Sequence, residues 1–451
     1  ALLLQPEPDF PKALVMTSGN LSEEPLSIDN QQAREKLGSL ADAFLMHNRD
    51  IYIRCDDSVV RSVENPSGEP ALFPLRRSRG YAPYPVRTRW QMPQILAAGA
   101  ELKNTFCLTK DRYAFISHHI GDLENYETLG AFEHGIRHLE DLFRVKPEVI
   151  AYDLHPDYMA TRYAQHRAEE EGLRAFGIQH HHAHVAACMA EHDHAGDHPV
   201  IGLSFDGTGY GADGTFWGGE VLLADYKSFK RSFHLKPVPL PGGDTAVKQV
   251  WRIGLSWLLL AGVDPTSVPT ALQSVPEDEI TIVRSQIRNG INAPLTSSMG
   301  RLFDAVSALA GVRNLVNYEG QAAIEWEALA DPNETGEYPH EITAQLIDPS
   351  AMIQAMAKDI QAAIPPSAIS ARFHNTVARF SLEACRRIRE QSGLSEVALS
   401  GGVWQNKTLL KKMIKLLVAD RFTVLIHRKV PTNDGGLSLG QAVIAHHTIS
   451  S

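Results

Sequence analysis

The chain has 451 residues, 43% apolar and 21% charged, with 53 acidic against 43 basic side chains and a net charge of −10. That composition excludes a disordered chain and leaves room for two or three domains. The acidic balance argues against a bulk nucleic-acid binder, because phosphate neutralisation by Lys and Arg supplies most non-specific affinity.

The opening "ALLLQPEPDFP" has no basic leader and reads as a chain entered partway through a domain. A first block, residues 1–88, begins with "ALVMTSGN", a strand running into a turn. It continues with a charged helix near "DNQQAREKLGSLADAFLMH" and with "DIYIRCDDSVVRSV", which alternates like a strand. Ser18 and Asn20 fall in a polar loop, and Arg61, Arg76, Arg77 and Arg79 follow. Hydroxyl, amide and guanidinium groups together suit a phosphate or carboxylate, although a solvated surface accounts for these residues almost as well. The Pro- and Arg-rich "PLRRSRGYAPYPVRTRWQMP" is expected to be a boundary segment and linker.

From "QILAAGAELKNTFCLTKDRYAFISHHIGDL" onward, short apolar runs predict antiparallel strands, followed by a helix over "NYETLGAFEHGIRHLEDLFRV" and a strand in "PEVIAYDLHPDY". The pattern recurs after residue 200, with strands "VIGLSFD", "FWGGEVLLADY", "EVALS" and "FTVLIH" and a helix-rich insert at about 246–345. The expectation is an α/β fold duplicated into two lobes, 93–199 and 200–451, with a ligand between them. Four scattered cysteines, Cys55, Cys107, Cys188 and Cys385, form no CxxC pair. They indicate neither a disulfide framework nor a zinc ribbon, and they fit a reducing cytosol. No apolar run is long enough to predict a membrane span.

"IQHHHAHVAACMAEHDHAGDH" carries seven of the twenty histidines. On the predicted helix, His180 and His184 are the pair at i,i+4, so both rings can reach one cation. His181 meets His184 only at i,i+3, His182 points away, and His192, His194 and His198 are expected in a solvated loop. Two packed helix histidines are the plain alternative for the pair. Asp206 and Asp434, each near a strand end and followed by glycine, are the candidate carboxylate ligands. The pattern lacks the glutamate of HExxH.

"DGTGYGADG" runs into a second strand, so it is a glycine-rich hairpin and not a dinucleotide fingerprint. "EVALSGGVWQNKTLLKKMIKLL" is instead a strand, a glycine turn and a helix start near Asn406, an anion-binding geometry. Asp304 in "SMGRLFDAVSALAG" and Glu325 in "YEGQAAIEWEALA" are weaker candidates for ligand walls.

Taken in order, "TSGNLSEEPL", "DDSVVR" and "RRSRGYAPYPV" resemble the later part of a YrdC-type domain. "AAGAELKNTFCL", "DLHPDY", "QHHHAHVAACMAEH", "FDGTGYGADGTFWGGE", "YEGQAAIEWE" and "SGGVWQN…TNDGG" resemble the Kae1-like domain that follows it. Together they resemble the HypF family, the carbamoyltransferases of [NiFe]-hydrogenase maturation. The resemblance implies a partial α+β YrdC-like domain over 1–88, with a site including Ser18, Asn20 and Arg61. It implies an ASKHA-type (actin, sugar-kinase and Hsp70) Kae1-like domain over 93–451. It further implies one divalent metal (Zn, Fe, Mn or Mg) on His180, His184, Asp434 and Asp206, which are also the catalytic residues. Adenine nucleotide, with Mg²⁺ as a further companion, would touch Gly207, Thr208, Gly209, Asp304, Glu325, Gly401, Gly402 and Asn406.

The family's chemistry is ATP-dependent. Carbamoyl phosphate becomes carbamoyl adenylate, and the carbamoyl group passes to the C-terminal cysteine of the partner HypE, with release of AMP, on the route to the cyanide ligand. No nucleic acid, membrane or internal nucleophile is implied. The front of the YrdC-like domain and the domains before it are not represented, which points to a C-terminal portion. Other readings are a small-molecule O-carbamoyltransferase, a tRNA threonylcarbamoyl transferase, which the acidic charge disfavours, and a non-catalytic nucleotide-binding scaffold.

Overall fold

The computed structural model describes residues 12–21, 24–268, 272 and 274–450. Helix α1 (Asn30–Leu37) starts where the Asp29 carboxylate accepts the Gln32 N–H, a side-chain cap on an otherwise orphaned donor. It stops at Gly38, well short of the span its charge pattern predicts. Strands β1 (Val59–Glu64) and β2 (Pro70–Arg76) form an antiparallel hairpin. Neither "ALVMTSGN" nor "DIYIRCDD" forms a strand, and Val15 and Met16 are exposed. An extended run becomes a strand only where another backbone pairs with it in a ladder, and among the described residues these two carry isolated bonds instead, from Ser27 N–H to Gly19 O at 3.0 Å and from Arg79 N–H to Asp56 O at 3.1 Å.

The first lobe contains β3 (Val86–Met92), β4 (Ile95–Ala97), β5 (Cys107–Ile116), α2 (Tyr126–Phe143), β6 (Val149–Asp153), α3 (Met159–Glu171) and β7 (Arg174–Ile178). Its sheet runs β3-β5-β4-β6-β7. The β3/β5 and β5/β4 pairs are antiparallel, and β4/β6 and β6/β7 are parallel. The expected linker therefore contains a sheet strand, and the lobe starts upstream of residue 93.

Next come α4 (His180–Glu191), β8 (Val200–Tyr210), β9 (Phe216–Ala224) and β10 (Phe229–Leu235). The insert supplies α5 (Trp251–Leu260), α6 (Glu277–Asn289), α7 (Met299–Leu309), α8 (Gln321–Leu329), β11 (Glu341–Thr343) and β12 (Leu346–Asp348). Helices α9 (Ser350–Gln361) and α10 (Pro366–Ser392) lead to β13 (Glu396–Ser400), α11 (Lys407–Ala419), β14 (Thr423–Ile426) and α12 (Leu437–Ile449). The main path of the second sheet is β11-β12-β10-β9-β8-β13-β14. Its five strands from β10 to β14 repeat the first lobe's order of antiparallel, antiparallel, parallel and parallel pairs. This is the expected duplication, except that the first lobe's outer strand, β3, precedes the others in the chain.

Every residue of α4 is buried, including four histidines and Glu191. Such a helix must have packing on all sides. It lies in one apolar cluster with strands of both sheets and with α12. A Cβ on Gly440 would stand 1.9 Å from the Ala183 carbonyl oxygen, so α12 crosses α4 at backbone contact distance. The chain's last helix, expected in the second lobe, thus packs with the first lobe.

Candidate active site

Helix α4 follows β7 directly, and the Gln179 side chain caps it by accepting the His182 N–H at 2.9 Å. One helical turn brings the His180 and His184 rings to a centroid separation of 4.9 Å. Their Nε2 atoms lie 3.3 and 3.0 Å from Asp206 Oδ2 and 3.7 and 3.5 Å from Asp434 Oδ1. Asp206 comes from β8, where the pairing register with β9 shifts between Phe205 and Gly209. Asp434 comes from the turn between β14 and α12. Four donor atoms from three elements thus lie within 4.8 Å of one another.

This donor set fits a divalent ion. Ligands held roughly 2.1 Å from a tetrahedral ion lie about 3.4 Å apart, and the four histidine–carboxylate pairs here span 3.0–3.7 Å. The second nitrogen of His180, Nδ1, is 2.8 Å from the fully buried Asp153 carboxylate, the arrangement that orients a ligating imidazole. Burial works against charge on His180, yet Asp153, Asp434 and Asp206 outweigh it and raise its pKa well above the ordinary value. Burial likewise opposes ionisation of Asp206, but the two histidines hold its carboxyl well below the usual range.

Backbone geometry aims Asp206. Its Oδ1 accepts the Gly207 and Gly402 N–H groups at 2.7 and 3.1 Å, leaving Oδ2 toward the histidines. Gly209 packs on the rings: a Cβ there would stand 2.5 Å from His181 Cε1 and 2.7 Å from His180 Cδ2. Gly401, at φ 103°, packs on Phe205, where a Cβ would meet the carbonyl oxygen at 2.2 Å.

The remaining histidines separate. His181 is buried beside Trp217 and held well below its ordinary pKa, chiefly by burial. His182 turns to the Asp225 carbonyl at 2.6 Å. His192 and His194 are half-buried and bonded to Ile426 O and to Glu396, and only His198 is exposed, so the tract is not the solvated loop expected. A string of contacts invisible in the sequence lies behind His184. The Ser400 hydroxyl donates to the His184 carbonyl at 2.8 Å, His427 Nε2 is 2.8 Å from that hydroxyl, and His427 Nδ1 is 2.6 Å from Glu191. Ser400 is fully buried and its proton is committed to His184, so this string is not a nucleophilic triad.

A cleft opens from the cluster into the second lobe. Gly207, Asp304, Gly402 and Asn406 line it; Thr208, Gly209, Gly401 and Glu325 do not. Glu325 instead pairs with Arg313 at 2.7 and 2.8 Å. Glu327 lines the cleft, since helix residues two apart face opposite ways. Asn406 uses its side-chain oxygen to cap Leu409 and its side-chain nitrogen to hold His374. The sequence reading missed Arg301, which lines this cleft one turn before Asp304; an arginine at i,i+3 to an acid in an otherwise apolar helical stretch was the signal available.

Ser18 and Asn20 border a second cavity, together with Arg76, Arg77 and His119, which adjoins the cleft through the shared wall of Lys103, Glu319, Gln405 and Asn433. Arg61 does not join them. It projects from β1 to the second-lobe cleft, where its Nη1 donates to Gln405 O at 2.8 Å. Arg77 is buried and donates to the carbonyls of Ile116, Tyr81 and Tyr84; burial lowers it to about 10. Its role is to hold that turn. The four cysteines are free thiols, three of them buried, and burial raises those three.

Two lobes of this strand order, with the cleft opening from the four-residue cluster into the second lobe and a YrdC-like piece in front, define an ASKHA-type Kae1-like protein. A family model described as "Carbamoyltransferase, Kae1-like Domain, second subdomain" matches residues 202–441, and "HypF Kae1-like domain" matches 91–191. A third model, of the Sua5/YciO/YrdC type and described as "Telomere recombination", matches 2–76. The chain belongs to the HypF carbamoyltransferase family.

Carbamoyltransferase HypF of Rhodobacter capsulatus is 41% identical over 98% of this chain and 58% of its own length. HypF2 of Cupriavidus necator is 38% identical over 96% and 56%. A HypF homolog of Cupriavidus necator is 35% identical over 78% of this chain and 91% of its own. A full-length HypF solved in the phosphate- and nucleotide-bound form superposes at TM-score 0.91 with 45% identity, covering 96% of this chain and 56% of that one. HypF of T. kodakarensis superposes at 0.88 with 34% identity, covering 96% and 58%. The chain thus spans somewhat more than half the length of most of these relatives. No helix among the described residues is long and apolar enough to cross a membrane.

Proposed function

We propose that this chain carries out the carbamoyl-transfer step of hydrogenase maturation, moving the carbamoyl group of carbamoyl adenylate to the C-terminal cysteine thiolate of HypE. The observation that carries this reading is the convergence of His180, His184, Asp206 and Asp434 at the inner end of a glycine-lined cleft. A full-length relative solved in a phosphate- and nucleotide-bound form supports nucleotide binding as part of this reading. A divalent ion held by these four residues would supply Lewis-acid polarisation of the group being transferred.

The chain's own residues do the positioning. Asp153 orients His180, the Ser400 hydroxyl holds the α4 backbone at His184, and the Gly207 and Gly402 amides fix Asp206. The thiolate comes from the acceptor, in keeping with buried cysteines whose thiols are pushed up, away from the reactive thiolate. Residues up to about 85 are the YrdC-like part, associated with making carbamoyl adenylate from carbamoyl phosphate and ATP, and the remainder is the Kae1-like part. Free thiols fit work in the cytosol.

The test supplies carbamoyl adenylate to wild type and His184→Ala, with a cysteine-ended HypE peptide, a serine-ended peptide or no acceptor, and reads bound metal and AMP together. Thiol-dependent AMP release that disappears with the metal is the expected result. Turnover with hydroxyl acceptors would point to a small-molecule O-carbamoyltransferase. Nucleotide binding without any turnover would leave a scaffold.

A further inference from the structure

Arg301 lies on α7 and is only 6% exposed. Its Nη2 is 3.0 Å from Asp304 Oδ2, while its Nε and Nη1 are buried without any hydrogen-bond partner. Buried donors are almost always satisfied, and a guanidinium with two idle nitrogens marks a missing acceptor. The same side chain lines the second-lobe cleft, and a Cβ on Gly207 would stand 3.6 Å from its Nη2. Gly207 adjoins Asp206, whose other oxygen faces the histidine pair. Helix α7 itself is tied to this backbone, since the Ser298 hydroxyl lies 2.8 and 2.7 Å from the Asp206 and Gly207 carbonyls.

We propose that Arg301 is the residue that binds the α-phosphate of the adenylate in this cleft, and that Asp304 holds its guanidinium for that purpose. This rests on the reading of the cleft as the adenylate site. In the transfer, the acceptor thiolate forms an S–C bond to the carbamoyl carbon. The C–O bond to phosphate breaks, its electron pair stays on the phosphate oxygen, and AMP leaves with one more negative charge than it had in the anhydride. A guanidinium beside that phosphate gains interaction as the charge grows. It therefore contributes to rate as well as to binding.

The experiment is calorimetric titration of the 451-residue chain with AMP and with adenosine, for wild type, Arg301→Gln and Arg301→Lys, alongside thermal melting. Wild type should bind AMP about ten- to a hundredfold more tightly than adenosine, the span expected of charge-assisted bonds. R301Q should erase that preference with adenosine affinity unchanged, and R301K, which keeps the charge, should restore part of it. R301Q with the AMP preference intact overturns the assignment while leaving the adenylate cleft standing. Equal binding of AMP and adenosine by wild type does the same. Loss of adenosine binding in both variants makes Arg301 a support of α7 and overturns it too. A wild type that binds neither compound sinks the adenylate reading and this inference together.

Discussion

His180/His184 and His194/His198 share one spacing, lie within twenty residues of each other, and each pair faces a carboxylate. They differ in what holds the far side of each ring. Asp153, fully buried, lies 2.8 Å from the His180 Nδ1 and turns the ring so that Nε2 faces Asp206 and Asp434. The His194 Nδ1 instead accepts the Gly196 N–H at 3.0 Å, so the ring's proton is on Nε2 and donates to Glu396 at 3.2 Å. His198 is squeezed between Asp197 and Glu396 with its side chain 47% exposed. The first pair is buried and turned inward on two carboxylates, and the second clasps one carboxylate near the surface. Residue type and spacing alone do not distinguish a buried pair able to hold an ion from a surface clasp; burial and the partner of the remote nitrogen do.

The sharpest way to break this contrast is substitution within each pair. His184→Ala should abolish bound metal, measured by elemental analysis, and lower carbamoyl transfer about a thousandfold or more. His198→Ala should leave both unchanged, and a loss of metal there would erase the distinction. One step weaker, Asp153→Asn should reduce metal affinity about ten- to a hundredfold, as removal of an orienting carboxylate does. Asp197→Asn should have no effect in the same competition titration.

Protonation separates the regions by sign. Burial holds His181 and His182 low and pushes His374 down to about 4. The unfolded chain takes up protons near 6.5 while native His374 waits until about 4. Stability therefore rises with pH through that window and falls on acidification, by at most about 3 kcal/mol for His374. Denaturant melts between pH 7 and pH 4 would show this as a falling midpoint, and His374→Asn should flatten part of the slope. The surface clasp runs the other way. Glu396 first, then Asp197, against some desolvation, raise His198. Its contribution is present in full below about 6.5 and is lost as pH rises through the raised native value. Glu396→Gln should bring the His198 titration down by NMR and cost only a few tenths of a kcal/mol, roughly what exposed pairs contribute.

Much of the candidate site was readable in linear form. The His180/His184 spacing, Asp206 beside glycine, and Asp434 in "TNDGG" each carried a local signal, and these four residues converge. Glu325 misled because one acid on a helix does not reveal which face is wet, and two residues decide between Arg313 and the cleft. Arg61 was grouped with Ser18 and Asn20 by proximity in the chain, whereas β1 aims it across to Gln405. Arg301, Asp153 and the Ser400–His427–Glu191 string gave little sign, because their meaning lies in partners 3, 27 and more than 200 residues away.

The sequence by itself determined the α/β class, the duplicated strand pattern, the helix that presents the histidine pair and the glycine turns around the cleft. All of these follow from periodicity and spacing within about twenty residues, the range over which local backbone preference acts. Only the tertiary structure decided that the last helix returns to the first lobe and that an expected linker is a sheet strand. It alone decided which of two like-spaced histidine pairs is dry and oriented. Those outcomes depend on burial and on hydrogen-bond partners brought together across the chain, and burial belongs to the packed molecule, not to any stretch of it.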